Sequence, residues 1–287
     1  MTLSDHLPLV TGALRSPFKH PRPDADFPRN RLLRSGVRVD LDRLAAYARV
    51  CGFPTGEDTL PLTYPHVLAF PAAMRLMSGR GFPLPLLGLV HTSVDLTRHT
   101  ALRADGTYEL AVHVEGLAPH RRGTQATVVA EARTEGEVVW ESRSTYLARH
   151  RTVGAQARED RTPSASRGDE PSSAGTAWRL AADAGRRYAA VSGDRNPIHL
   201  HPLTARPFGF PRPIAHGMWT VARCLAAHGT PEAVRVRAEF RAPVPLPGTV
   251  EYAADGGRFA LRGDGGRIHL TGTVRPHTTD RPSVLRR

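Results

Sequence analysis

The chain has 287 residues, a formal net charge of +12 and only 6% aromatic residues. Its length suits two domains of ordinary size, and no stretch approaches the roughly 18 apolar residues of a membrane span. The basicity is nearly all arginine, scattered and not interleaved with aromatics, which argues against a nucleic-acid surface.

Met1 to Leu14 lacks a basic segment followed by a long apolar run, so no secretory signal is expected there. The residues up to about 38, punctuated by Pro8, Pro17, Pro21, Pro23 and Pro28, read as an irregular arm. A helix is predicted from Asp40 to Val50, with Asp40 as N-cap and Gly52 as stop. The next helix is predicted over Pro71 to Ser78, with Pro71 in its first turn and Gly79 ending it. The period then changes to two. Val90, Thr92, Val94 and Leu96 alternate with His91, Ser93, Asp95 and Thr97, and Tyr108 to Val114 repeats the pattern. Thr124 to Arg133 and Glu137 to Ala148 complete four antiparallel candidates joined by short turns.

Residues 151–175 are dominated by Ser, Thr, Arg, Gly and acidic residues, and read as a solvated linker. After it the order repeats. Short helices are predicted at Asp183 to Val191 and Pro202 to Arg206, and a longer one from His216 through Ala227 to a stop at Gly229. Strands follow at 234–240, around Val250 to Ala254, around Phe259 to Leu261, and at Ile268 to Val274. The tail from about Arg275 reads as frayed. Each half is thus a central helix followed by an antiparallel meander, an α+β class in which the sheet wraps the helix. Cys51 and Cys224 sit far apart in apolar helical surroundings, which predicts buried free thiols and, with no leader, a cytoplasmic protein.

Chemistry concentrates in Ser192-Gly-Asp-Arg-Asn-Pro-Ile-His199 and in Ala215-His-Gly-Met218. Asp194 and His199 lie on one turn, and His216-Gly217 opens a helix. A carboxylate and an imidazole facing a helix N-terminus can move protons beside a site where negative charge develops. Gly217 would offer its N–H there and let a substrate approach closely. Asn196 and Ser192 fit structural roles, Asn196 bonding local backbone and Ser192 capping the turn, although Asn196 could also orient the acid/base pair. His201 is expected in solvent. His199, His201 and His216 lack a cysteine or second carboxylate at ligand spacing, so no metal is expected.

Tyr188 to Met218 resembles the signature of MaoC-like dehydratases, the (R)-specific enoyl-CoA hydratase group of the hotdog superfamily. Phe240-Arg-Ala-Pro-Val-Pro-Leu-Pro-Gly248 is similar to the strand and turn that follow the central helix there, and Leu62 to Trp140 looks like the degenerate first hotdog of two-domain members. The resemblance implies a double hotdog: residues 1–150 degenerate, 176–287 catalytic. It implies hydration of trans-2-enoyl thioesters or the reverse, with Asp194 and His199 as the catalytic pair and Gly217 as the oxyanion contact. His216, Asn196 and Ser192 are placed with the substrate-binding groups. The substrate carrier would be coenzyme A or an acyl carrier protein, met in part by arginines, with no separate cofactor. A homodimer of double hotdogs is a further expectation. A hotdog thioesterase or a non-catalytic acyl-thioester binding protein is the alternative. In the first half His66 is followed by Val67, not glycine, and no acid/base pair accompanies it. One site per chain is therefore expected, with His66 silent and the first half forming the acyl-chain wall. The turn position of Asp194 and His199 further implies that little stability rests on either.

Overall fold

Five strands from each half meet in one antiparallel sheet of ten, in a computed structural model that describes residues 19, 21–151, 171 and 175–277. The expected linker lies outside the described residues except for Arg151, Pro171 and Gly175, as do the first 18 residues and those after His277.

The elements run β1 (Leu32–Arg38), α1 (Leu41–Cys51), α2 (Tyr64–Ser78), β2 (Leu89–Arg98), β3 (Thr107–His120), β4 (Gly123–Thr134) and β5 (Glu137–Arg149). The second half follows with β6 (Thr176–Leu180), α3 (Ala184–Ser192), α4 (Pro202–Ala205), α5 (Gly217–His228), β7 (Val234–Phe240), β8 (Gly248–Asp255), β9 (Arg258–Arg262) and β10 (Ile268–Pro276). Across the sheet the order is β1-β3-β4-β5-β2-β7-β10-β9-β8-β6. The halves join where β2 pairs antiparallel with β7, from Ser93 opposite Glu239 to Arg98 opposite Val234. The buried Arg98 guanidinium reinforces the join by donating to the carbonyls of Pro231 and Glu232 at 2.8 and 2.7 Å.

Three expectations need correction. The arm up to residue 38 is not irregular throughout, because Leu32–Arg38 forms β1 against β3. Helix α2 begins at Tyr64, with Pro65 in its first turn and Pro71 in its interior. Its first turns are apolar on several sides because Tyr64, Pro65, Val67 and Ala69 are all buried, so tertiary packing offsets the cost of an interior proline. The tail is ordered past Arg275: Arg275 and Pro276 pair with Arg235 and Val234, and the His277 N–H donates to Ala233.

Helix α1 behaves as its caps predict. Asp40 accepts from the Arg43 N–H at 3.0 Å, and Gly52 closes the helix at φ 80°. One face buries Leu44, Tyr47, Ala48 and Cys51, while Arg43 Nε reaches the Val191 carbonyl at 2.7 Å. From the other side, Trp219 Nε1 donates to the Val50 carbonyl at 3.0 Å. Helix α1 therefore clamps α3 and α5, the two helices whose ends carry the motif residues. Cys51 and Cys224 are buried and free, as expected. Among the described residues no helix is long and apolar enough to cross a membrane.

Candidate active site

Helix α3 ends at Ser192 because Gly193 takes a left-handed conformation at φ 83°. The chain then folds back on itself. Ser192 Oγ accepts from the Asp194 N–H at 3.1 Å, and Asp194 Oδ1 accepts from the Asn196 N–H at the same distance. Asn196 Oδ1 accepts from Ile198 N and caps a 3₁₀ turn over Pro197–His199. These bonds give Ser192 and Asn196 the local structural roles expected of them. His201 is exposed and caps α4, its Nδ1 accepting from Leu203 N.

His199 is buried, and its Nδ1 lies 2.7 Å from the Ile214 carbonyl. A carbonyl only accepts, so Nδ1 carries the proton and Nε2 of the neutral ring is left as a base. By the same logic His216 Nε2 donates to the Asp194 carbonyl at 2.9 Å, and 3.9 Å separates it from Asp194 Oδ2. The rings of His199 and His216 stack with centroids 3.7 Å apart. One ligating atom from each of Asp194, His199 and His216 falls within a 4.8 Å cluster. Burial holds the His199 imidazole below its ordinary range, with the Asp194 charge pulling the other way. Burial and the neighbouring His199 push His216 down to about 3. Burial thus favours the neutral form of both rings.

Asp194, His199 and His216 bring one carboxylate and two imidazoles together, without a cysteine or second carboxylate. Rings stacked at 3.7 Å and 28° keep their in-plane lone pairs from converging within about 2.1 Å of one ion. The set suits proton movement better than coordination.

Gly217 opens α5 beside this cluster, with His216 as its N-cap. A Cβ at Gly217 would lie 2.9 Å from Cε1 of the Phe240 ring. The glycine is thus demanded by a protein side chain at least as directly as by a substrate. Its N–H stands in the first turn of α5, where the helix has no partner of its own to give.

All six motif residues line one open crevice of about 2400 Å³, several times an ordinary small-molecule pocket of roughly 300–1,000 Å³. Its far wall comes from the first half, through His66 of α2, His91 of β2 and Tyr146 of β5. His91 stacks on Tyr146 at 4.6 Å and meets Phe240 at 4.7 Å. The Asp194 carboxylate acts electrostatically on His66 and on Tyr146. His66 is therefore not remote from the chemistry. Sequence reasoning missed His91 and Tyr146, since nothing local marks a strand residue as facing a motif far along the chain.

Residues 162–260 match the MaoC like domain. Over 268 residues the chain is 36% identical to 3-hydroxyacyl-thioester dehydratase X of Mycobacterium tuberculosis, covering 89% of this chain and 92% of that protein. The crystal structure of HtdX from the same organism superposes with a TM-score of 0.74 at 34% identity, spanning 86% of this chain and 100% of that one. A MaoC-like dehydratase from Phytophthora capsici, only 16% identical, shares the fold with a TM-score of 0.68 over 91% of this chain and 100% of that one. The α+β double hotdog expected from the motif is thus the observed fold, and the chain belongs to the MaoC-like dehydratases, hydro-lyases of acyl thioesters.

Proposed function

We propose that the chain hydrates trans-2-enoyl thioesters to (R)-3-hydroxyacyl thioesters, and runs the reverse dehydration, at a single site built on Asp194 and His199. The observation that carries this reading is the meeting of Asp194, the unprotonated Nε2 of His199 and the α5 N-terminus at Gly217 in one crevice. In the hydration direction His199 Nε2 takes a proton from water as its oxygen adds to C3. The Asp194 carboxylate, held by the Asn196 N–H, positions that water, and the proton taken up by His199 passes on to C2 with Asp194 as the relay, so that both groups end as they began. The Gly217 N–H faces the thioester oxygen as negative charge collects on it. His216 holds the Asp194 backbone and stacks on His199, which makes it a positioning residue.

The same reading assigns residues 1–150 to a degenerate hotdog and 176–287 to the catalytic one. Coenzyme A or an acyl carrier protein carries the substrate, and no other cofactor enters. Arg121, Arg122, Arg149, Arg195 and Arg267 line the crevice and could meet the carrier's phosphates. The reading further includes a cytoplasmic homodimer. The test is hydration of enoyl-CoA, followed as loss of enoyl absorbance with chiral analysis of the product. An (R)-3-hydroxyacyl product that disappears in Asp194→Asn supports the assignment. Release of free thiol without hydration would favour a thioesterase instead.

A further inference from the structure

Between α2 and the sheet lies a second, small cavity of about 10 Å³. Helix α2 gives it His66, Ala69, Phe70 and Ala73, one face at helical spacing. Strand β5 gives Ser142, Ser144 and Tyr146 on one face, paired across to Ala130, Val128 and Ala126 of β4. A central helix over a sheet should meet apolar side chains there. Instead Ser142 Oγ and His66 Nδ1 are buried with no hydrogen-bond partner, although Ser142 is 0% exposed. Ser144 Oγ is buried without a hydrogen-bond partner as well. Orphaned polar atoms cost stability, and alanines at 69, 73 and 130 keep the space above them open.

His66, Phe70 and Tyr146 line both this cavity and the large crevice, so the two adjoin across these side chains. Resting on the function proposed above, we infer that the cavity is a subsite for the far end of the acyl group, and that the favoured substrates carry a hydroxyl or carbonyl oxygen there. Ser142 can donate or accept, as a neutral imidazole can, and the volume admits one water-sized group. No cation lines the cavity. A terminal carboxylate would be buried without compensation, so the subsite selects a neutral oxygen.

The test compares kcat/KM for 2-enoyl-CoAs matched in length and ending in a methyl, a hydroxyl, a ketone or a carboxylate. At the length that reaches the cavity, the hydroxyl or ketone substrate should exceed its methyl partner by at least about tenfold. The carboxylate substrate should be poorest. Ser142→Ala should bring the oxygen-to-methyl ratio down toward one while the melting temperature holds or rises, because an unpartnered hydroxyl is removed. Equal or better use of methyl-ended chains by the wild-type enzyme at every length overturns the inference, whether or not Ser142→Ala folds. So does an unchanged ratio in a folded Ser142→Ala protein. Failure to hydrate any of the four at any length would instead overturn the hydratase reading and this subsite with it.

Discussion

His199 stacks on His216 with ring centroids 3.7 Å apart and planes 28° from parallel, and each ring spends one N–H on a backbone carbonyl. Two imidazoles in this arrangement cannot both be cationic without strong repulsion. The Asp194 charge favours the protonated form of His199 while burial opposes it. An NMR titration should find the His199 ring below its ordinary pKa of about 6.5, and Asp194→Asn should lower it further. An unchanged value on that substitution would show that Asp194 does not act on the ring.

Asp194→Asn and His199→Ala should each lose roughly 10²–10⁴ in turnover, but their stabilities should differ. Asn at 194 keeps an oxygen for the Asn196 N–H and leaves the backbone carbonyl that His216 uses, so its melting temperature should stay near wild type. His199 is buried and ties its turn to Ile214, contrary to the expectation that little stability rests on it. Its removal should cost about 1–3 kcal/mol, measured by urea denaturation. Equal stability of the two variants would show that the Ile214 bond contributes nothing.

Gly217→Ala drives a methyl toward the Phe240 ring, 2.9 Å from Cε1. A loss of about 1–3 kcal/mol is expected from overpacking. Phe240→Leu added to it should recover most of that stability in a thermal melt. No recovery would place the strain elsewhere.

Acid should weaken the fold through buried neutral imidazoles. Burial pushes His66 down to about 4 and both His91 and His216 down to about 3. Unfolded, these rings take protons near pH 6.5. The native state binds fewer protons across that window, so stability present above pH 6.5 drains as pH falls toward 4 and then 3, by at most about 1.4 kcal/mol per pH unit for each group. Urea midpoints measured from about pH 7.5 to 5 should fall, and His91→Leu should flatten the slope. A pH-independent midpoint contradicts the burial of these rings as neutral species.

Cutting the chain after Ala165 should yield a 166–287 fragment that holds Asp194, His199 and Gly217 yet is insoluble or inactive. It would expose the β7 edge that β2 covers from Ser93 to Arg98, and it would lose the Arg43 and Val50 contacts to α3 and α5. Co-expressing residues 1–165 should restore part of the activity. A soluble, monomeric, fully active fragment would contradict the seam as an obligate contact.

The central strands and capped helices were legible in the chain because their alternation and caps are local. Both strands that escaped notice, β1 and β6, are sheet edges, and most of Leu32–Arg38 and Thr176–Leu180 is solvent-facing. An edge strand need not alternate. Pro71 misled because proline is usually a helix start, whereas here the packing of Val67 and Ala69 carries α2 through it. The turn from Ser192 to His199 was readable because its hydrogen bonds span two or three residues. His91 and Tyr146 were not, since they join the site only once β2 meets β7.

The β2–β7 join also divides labour along the chain. Every group assigned to moving protons follows residue 175, and the wall against which an acyl chain would lie comes largely from α2, β4 and β5. A substitution at Ser142, Phe70 or Ala73 can therefore reshape what is accepted without altering the Ser192–His199 turn. Drift at those three positions would diversify substrates while the chemistry stayed fixed, and directed libraries confined to them should retain a high proportion of working catalysts.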